Sequence, residues 1–366
     1  MSRTVTIKDV ALRANCGVAT VSRVLNDSGS ASPAARRRVW DAAKELGFEF
    51  SDIGRALQSS TTRTIGCVVP SLANPVFADA VQGLQEKLQQ AGYQLLLTCS
   101  NYDPDSETAA IRTLLAKQVD GLVLTVCDAG KSEGLRFAGQ RGLPCCLMFN
   151  QPTKDLAACF VNNFEAARCV AKEFAAAGHR DTGFLALRFG SSDRSRQRFE
   201  GFVSGCRDFG MAPPVLLEID EDGDNLSALL ADMLTAHSKL SAIFASNDFL
   251  AIAAIRAARQ LGRKVPADLS IVGFDGLEIG TMMEPSLATI VTRPKLMGRG
   301  AAETVLAVLT GNPPPDPQNK SLSFNFREGG SLAPPRKAEK NDDGKVPASP
   351  SSSPTLRKSC DDKTKD

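Results

Sequence analysis

With 366 residues, 43% of them hydrophobic, the chain can bury a substantial core and is expected to form two or three domains. Its 43 basic and 41 acidic residues leave a formal charge of only +2, so any strong positive character must be local. No window approaches the ~20 apolar residues that span a bilayer, and no apolar run of signal-peptide length precedes the first helical pattern. Membrane-spanning and secreted classes are thereby excluded, and a cytoplasmic location is expected.

Residues 6–25, TIKDVALRANCGVATVSRVL, carry two short helical patterns joined by a tight turn. Thr6 can N-cap the first, with Asp9 at the positive helix end. Ile7, Val10, Ala11 and Ala14 recur at helical spacing. Asn15, Cys16 and Gly17 interrupt the pattern with two residues that tolerate left-handed backbone. Val18, Val21, Ser22 and Leu25 then restart an inward stripe, leaving Ala19, Thr20 and Arg23 facing outward. Such a face suits the major groove, because Arg pairs bidentately with guanine and Ala or Thr methyls contact thymine. Ser32 and Pro33 open a third helix that bears Arg36, Arg37 and Arg38, with Val39, Trp40, Ala43 and Leu46 as its apolar face and Gly47 at its end. Residues 1–63 hold ten Lys or Arg against six acids, a surplus of four where phosphates would be met.

On TIKDVA, VATVSRVLN and KELGF, the segment resembles the DNA-binding head of the LacI/GalR family of bacterial transcriptional regulators. The resemblance implies that Thr6, Val18, Ala19, Thr20, Ser22, Arg23 and Asn26 face DNA. Val18, Ala19 and Arg23 fall at base-contacting positions, and Thr20, Ser22 and Asn26 at phosphate-side or framework ones. Where the family carries Gly and then Ser in the turn, this chain has Asn15 and Gly17. In residues 51–63, SDIGRALQSSTTR, Ser51 and Asp52 can cap a short helix with Ile53, Ala56 and Leu57, too short to be stable alone. In the family the matching segment folds when two copies pair on the operator, and the leucine matching Leu57 wedges into the minor groove beside Ala56. A plain flexible linker, given Ser59, Ser60, Thr61 and Thr62, remains the other reading.

From residue 64 onward apolar runs alternate with helical patterns. Strands are expected at 65–69, 94–98, 121–126 and 144–149, and helices at 76–91, 105–117 and 131–141. A second round follows, with helices at 164–177, 194–209, 225–237 and 247–261 and strands at 182–187, 215–218, 242–245 and 269–273. The closing strand at 288–292 and helix at 293–309 are assigned to the first lobe by the family pattern. The expected fold is a small all-α helix-turn-helix domain (1–50), a hinge helix or linker (51–63) and a two-lobed α/β periplasmic-binding-protein-like domain of doubly wound parallel sheets (64–328). Lobe one takes about 64–162 plus 289–328, and lobe two about 163–288. The Pro-, Ser- and Lys-rich stretch 329–366 is expected to be a disordered tail. It has no Leu heptads, so a homodimer is expected.

Open parallel sheets bind ligands beyond the carboxyl ends of their strands. Polar residues stand there: Asn74, Asn150, Asp193, Asn247 and Asp275, with Arg198 inside the helix that Asp193 opens. By resemblance, Arg198, Asn247 and Asp275 match effector-contacting positions, and Asn74, Asn150 and Asp193 complete the candidate effector site. Carboxylate, amide and guanidinium together suit a polyol. Asp248 is read as a helix cap, and His179 and His237 as a turn and a helix-end residue. The ten cysteines show no CxxC pair and no zinc spacing and are read as small buried hydrophobes, with adjacent Cys145 and Cys146 the pair to test. No P-loop, nucleophile elbow or metal cluster is present, so no catalytic residue, metal or cofactor is assigned and no enzyme is expected. The expected function is a ligand-responsive, sequence-specific DNA-binding transcriptional regulator, a repressor, acting as a homodimer on a pseudo-palindromic operator under a small sugar-like effector. A solute-binding protein, or a non-transcriptional sensor of a small sugar, is the alternative.

Overall fold

A computed structural model describes residues 5–25, 30–48, 61–220, 225–312 and 319–336. Asn26, Ala56 and Leu57, and with them most of the expected hinge, lie outside the described residues. The chain divides into two compact units, residues 1–63 with 118–120, and residues 64–117 with 121–366.

The first unit holds three helices, α1 (Ile7–Arg13), α2 (Val18–Leu25) and α3 (Pro33–Glu45). The Asp9 carboxylate accepts from the Thr6 amide at 2.8 Å and from the Thr6 hydroxyl at 2.7 Å, which closes the start of α1. Asn15, at φ +50, takes the left-handed place in the turn. Gly17 does not share it, and its carbonyl instead begins α2 by accepting from Thr20 and Val21. Ser32 caps α3 through the Ala35 amide. Val10, Val21, Val24, Val39 and Ala42 form the common core. Two expected inward residues face out: Val18 is 44% exposed and Trp40 55%. The inward stripe of α2 runs through Val21, Val24 and Leu25, with Val18 at the exposed first turn, and that of α3 runs through Val39, Ala42 and Ala43, which leaves Trp40 on the outer side.

The second unit is built on two six-stranded sheets. The first contains β1 (Thr64–Val69), β2 (Gln94–Cys99), β3 (Gly121–Leu124), β4 (Cys145–Met148), β5 (Ala157–Val161) and β11 (Lys320–Leu322), in the order β11-β5-β4-β3-β1-β2. All its pairings are parallel, with Cys67 registered against Leu97 on one side and Val123 on the other. Around it lie α4 (Pro75–Gln90), α5 (Pro104–Ala116), α6 (Glu133–Gln140) and α11 (Pro294–Leu309). The second sheet runs β12-β10-β9-β8-β6-β7, from β6 (Thr182–Leu187), β7 (Val215–Ile219), β8 (Ala242–Ala245), β9 (Ser270–Asp275), β10 (Ala288–Val291) and β12 (Asn325–Arg327). Its helices are α7 (Asn163–Ala177), α8 (Asp193–Asp208), α9 (Leu226–Ala236) and α10 (Asp248–Gln260). Strands such as β3 (GLVL) and β8 (AIFA) are buried along their whole length, as central parallel strands must be. One face of the second sheet packs on a phenylalanine cluster in which Phe184 and Phe244 meet edge to face at 5.1 Å.

The described residues from Ala288 onward depart from expectation. Strand β10 pairs in parallel with β9, and β12 pairs antiparallel with β10, so both belong to lobe two. Only α11 and β11 return to lobe one, where β11 pairs with β5. The chain therefore crosses between the lobes three times, after β5, after β10 and after β11. The expected tail is ordered at its start: Ser331 is fully buried, its hydroxyl donating to the Ile271 carbonyl at 2.5 Å and accepting from the Ala288 amide at 2.9 Å. His179 is not a surface turn residue but is fully buried against this same segment. Among the described residues no helix is long and apolar enough to cross a membrane.

Candidate functional site

A cleft lies at the carboxyl ends of both sheets, open to solvent and with about 30 Å³ of free space between its walls. Lobe one supplies Asn74, Phe77, Tyr102 and Phe149, and lobe two supplies Arg194, Arg198, Ser246, Asn247 and Asp275. Asn74 caps α4, its side-chain oxygen accepting from Val76. Phe77 meets Phe149 edge to face at 5.0 Å and Tyr102 at 6.3 Å, so one wall is aromatic. Tyr102, Phe149 and Asp275 all hold positive φ, at +55, +73 and +120. Backbone of this kind costs on the order of 1–3 kcal/mol per residue and gathers at ligand sites.

Asp275 ends β9 and is 8% exposed. Burial pushes its carboxyl up to about 7, against the pull of the Arg198 guanidinium, while the Asp248 carboxyl adds to the push and a hydrogen bond from Asn74 resists it. Arg198 is fixed on three sides. Its Nε donates to Asn163 Oδ1 at 2.8 Å, its Nη1 donates to the Ser246 carbonyl, and its guanidinium carbon lies 3.5 Å above the Phe274 ring. Burial lowers its pKa to about 10, with Asp275 opposing the shift. Asn247 caps α10 through the Leu250 amide at 2.8 Å and lines the cleft as well.

Asp248 does not cap its own helix. Its Oδ2 accepts from the amides of Gly276 at 2.9 Å and Leu277 at 2.7 Å, and its Oδ1 accepts from the Thr289 hydroxyl at 2.5 Å. It thus pins the turn that follows Asp275, while burial pushes its carboxyl up to about 6.

Asn150 and Asp193, two expected effector contacts, do not line the cleft and are turned to each other. The Asn150 amide donates to both Asp193 oxygens, at 2.9 and 3.0 Å, and to the Val126 carbonyl, while its own oxygen accepts from the Val126 amide. Asp193 also accepts from the Ala129 amide at 3.1 Å, and its backbone amide donates to the Cys127 carbonyl at 2.8 Å. Both are buried and fully engaged, and together they form a latch between the strand ends of lobe one and the start of α8 in lobe two. Four of the six expected residues, Asn74, Arg198, Asn247 and Asp275, come together in the cleft. Arg194 and Ser246 are cleft residues not read from the sequence. Ser246 directly follows β8 and was passed over for its neighbour Asn247, whereas Arg194 lies inside α8 and follows no strand.

On the first unit, α2 exposes Val18, Ala19 and Arg23 and half-buries Thr20 and Ser22. Arg23 Nε donates to the Ala19 carbonyl at 3.2 Å, one turn back on the same exposed side, and Thr6 is exposed at the start of α1.

Among the described residues no group of three His, Cys, Asp or Glu is placed to hold a metal. The described cysteines are free. Burial pushes Cys127, Cys145 and Cys159 up to about 12, far from a reactive thiolate.

Residues 6–50 match the profile of "Bacterial regulatory proteins, lacI family", and residues 62–324 match "Periplasmic binding proteins and sugar binding domain of LacI family". The chain is 32% identical to the HTH-type transcriptional regulator GntR of Escherichia coli K12, over 89% of this chain and 98% of that protein. It is 31% identical to the HTH-type transcriptional repressor PurR of Aliivibrio salmonicida, over 82% and 91% respectively. Its fold matches the crystal structure of the lac repressor dimer bound to operator and the anti-inducer ONPF, with a TM-score of 0.80 and 23% identity, covering 90% of this chain and 100% of that one. With a helix-turn-helix head and a two-lobed sugar-binding domain, the chain belongs to the LacI family of bacterial transcriptional regulators.

Proposed function

We propose that this regulator is a cytoplasmic repressor that binds a pseudo-palindromic operator as a homodimer, and that a small polyol in the cleft sets its operator affinity. The observation that carries the effector reading is the convergence of Arg198, Asn247 and Asp275 at the strand ends of lobe two, facing an aromatic wall from lobe one. Asp275 accepts from paired hydroxyls, Asn247 both donates and accepts, and the rings cover the apolar face of a sugar. The two-lobed body is shared with solute-binding proteins, but the exposed face of α2 favours DNA as the output.

In this reading residues 1–50 are the head and 51–63 the hinge. Val18, Ala19 and Arg23 read base edges, with Thr6, Thr20, Ser22 and Asn26 at the phosphate side. Ala56 and Leu57 enter the minor groove. Asn74, Arg198, Asn247 and Asp275 hold the effector, and Asn150 with Asp193 biases the lobe arrangement that the effector selects.

The test uses an operator selected from random duplexes by the full-length chain, followed by gel shift with a panel of sugars and polyols. Asp275→Asn is expected to keep operator affinity within about three-fold while weakening the effector response by about 10–100-fold. Loss of both together, or no sequence-selective complex at moderate salt, would overturn the proposal.

A further inference from the structure

Two polar atoms of the cleft residues have no hydrogen-bond partner among the described residues, Nη2 of Arg194 and Oγ of Ser246. Arg194 is 4% exposed and Ser246 1%. The other arm of the Arg194 guanidinium is fixed, Nη1 donating to the Val126 carbonyl at 2.7 Å and lying 3.4 Å from Oδ1 of Asp193. Asp193 pairs with the Nη1 side alone, and its two oxygens also accept from Asn150 and Ala129, so it leaves Nη2 without a partner. Arg198, the second cation of the wall, is committed to Asn163, to the Ser246 carbonyl and to the Phe274 face. Arg194 therefore keeps an unused, permanently charged donor in a desolvated place, where an unmade bond is costly.

An acceptor brought by the effector would satisfy it, and a charged acceptor satisfies it best. The surroundings limit that charge. Asp193, Asp248 and Asp275 lie around the two arginines, so a single negative charge is tolerated where a dianion is opposed by three carboxyl groups. A neutral sugar would offer Nη2 of Arg194 only an uncharged acceptor, a weaker bond than a carboxylate makes.

Resting on the reading of the cleft as a polyol site, we propose that the effector is a sugar acid: its carboxylate binds Nη2 of Arg194 and its hydroxyls bind Ser246, Asn247 and Asp275.

Calorimetric titration of the full-length chain with gluconate, galactonate and glucuronate, beside glucose, galactose and glucose 6-phosphate, tests this. At least one acid is expected to bind about 10–100-fold more tightly than its neutral parent, the range of a charge-assisted bond to a buried arginine. Arg194→Gln should bring that ratio close to one, and Arg194→Lys should keep part of the preference. Because the ratio is taken within each variant, a general loosening of the cleft does not imitate the result. A neutral sugar binding as tightly as its acid, a ratio that survives in Arg194→Gln, or a preference for the phosphate would overturn the charge assignment and leave the polyol site standing. No binding by any of the six compounds, with operator binding intact, would overturn both.

Discussion

His179 is held by two hydrogen bonds that settle its tautomer. A carbonyl only accepts, so Nε2 carries the proton that it donates to Ala333 at 3.0 Å, and Nδ1 accepts from the Ser241 hydroxyl at 2.8 Å. Burial lowers its pKa to about 4, only partly resisted by the Ala333 carbonyl. The unfolded chain takes up this proton near pH 6.5 and the folded one near 4, so the contribution of a neutral His179 is complete above pH 6.5 and is lost as pH falls toward 4. Asp248 and Asp275, held protonated by burial up to about 6 and 7, act in the opposite sense over the same interval. The stability difference between wild type and His179→Gln isolates the histidine. Chemical denaturation should put the variant about 1–3 kcal/mol below wild type at pH 7, with the gap narrowing by about 1–2 kcal/mol at pH 5. A gap independent of pH would show that the ring does not titrate in this way. The residue was misread as a surface turn because GHRD carries turn chemistry and its burial depends on a segment 150 residues downstream. Asn150 and Asp193 were misplaced for a similar reason: standing after a strand marks a residue as near the cleft, but not which way its side chain is engaged.

Among the elements, α4 and α11 approach closely enough to need glycine. A Cβ on Gly298 would fall inside the van der Waals envelope of the Ala80 carbonyl, and one on Gly83 inside that of Lys295. Since backbone rather than a flexible side chain is in the way, Gly298→Ala should cost about 3 kcal/mol or more in a denaturation measurement. Gly139, in α6 with nothing within 4 Å of such a Cβ, is the matched control. There alanine should stabilise by roughly 0.5–1 kcal/mol through helix propensity alone. Equal effects at the two sites would refute the close approach. The long elements were legible because fully apolar strand runs and amphipathic helices differ in length and period. Strand β5 escaped because AACFV has little β-branched content, and β11 and β12 because three residues carry no period at all. Which lobe β10 joins is set by pairing with β9, a fact no local pattern records.

Across the molecule, the two lobes are completed from the carboxyl-terminal side. Strand β11 extends the first sheet, β12 extends the second, and residues 329–336 then back the second sheet through Ser331, Leu332 and Ala333. Ending the chain after Glu328 removes the acceptor of His179 Nε2 and, with Ser331, the hydroxyl that engages the Ile271 carbonyl and the Ala288 amide. Thermal melting should fall by about 5–10 °C relative to a chain ended after Arg336, corresponding to about 3 kcal/mol in a unit of this size. Equal melting temperatures would mean that this segment adds nothing to lobe two. The charge surplus of the head, its two-helix outline and the position of Asp275 at a strand end were open to reading from residue order and type, while Arg198 rested on the family resemblance.

The three crossings also bear on how such a chain can be recombined. The three-helix core of the head comes from one uninterrupted stretch, so exchanging its DNA specificity for another takes a single junction upstream of β1. Neither lobe has that freedom. Lobe two begins after β5, is interrupted after β10 and resumes after β11, so transplanting it requires three matched cuts in one gene. Effector specificity in this architecture therefore changes by substitutions around the cleft far more readily than by shuffling, while operator specificity is open to both.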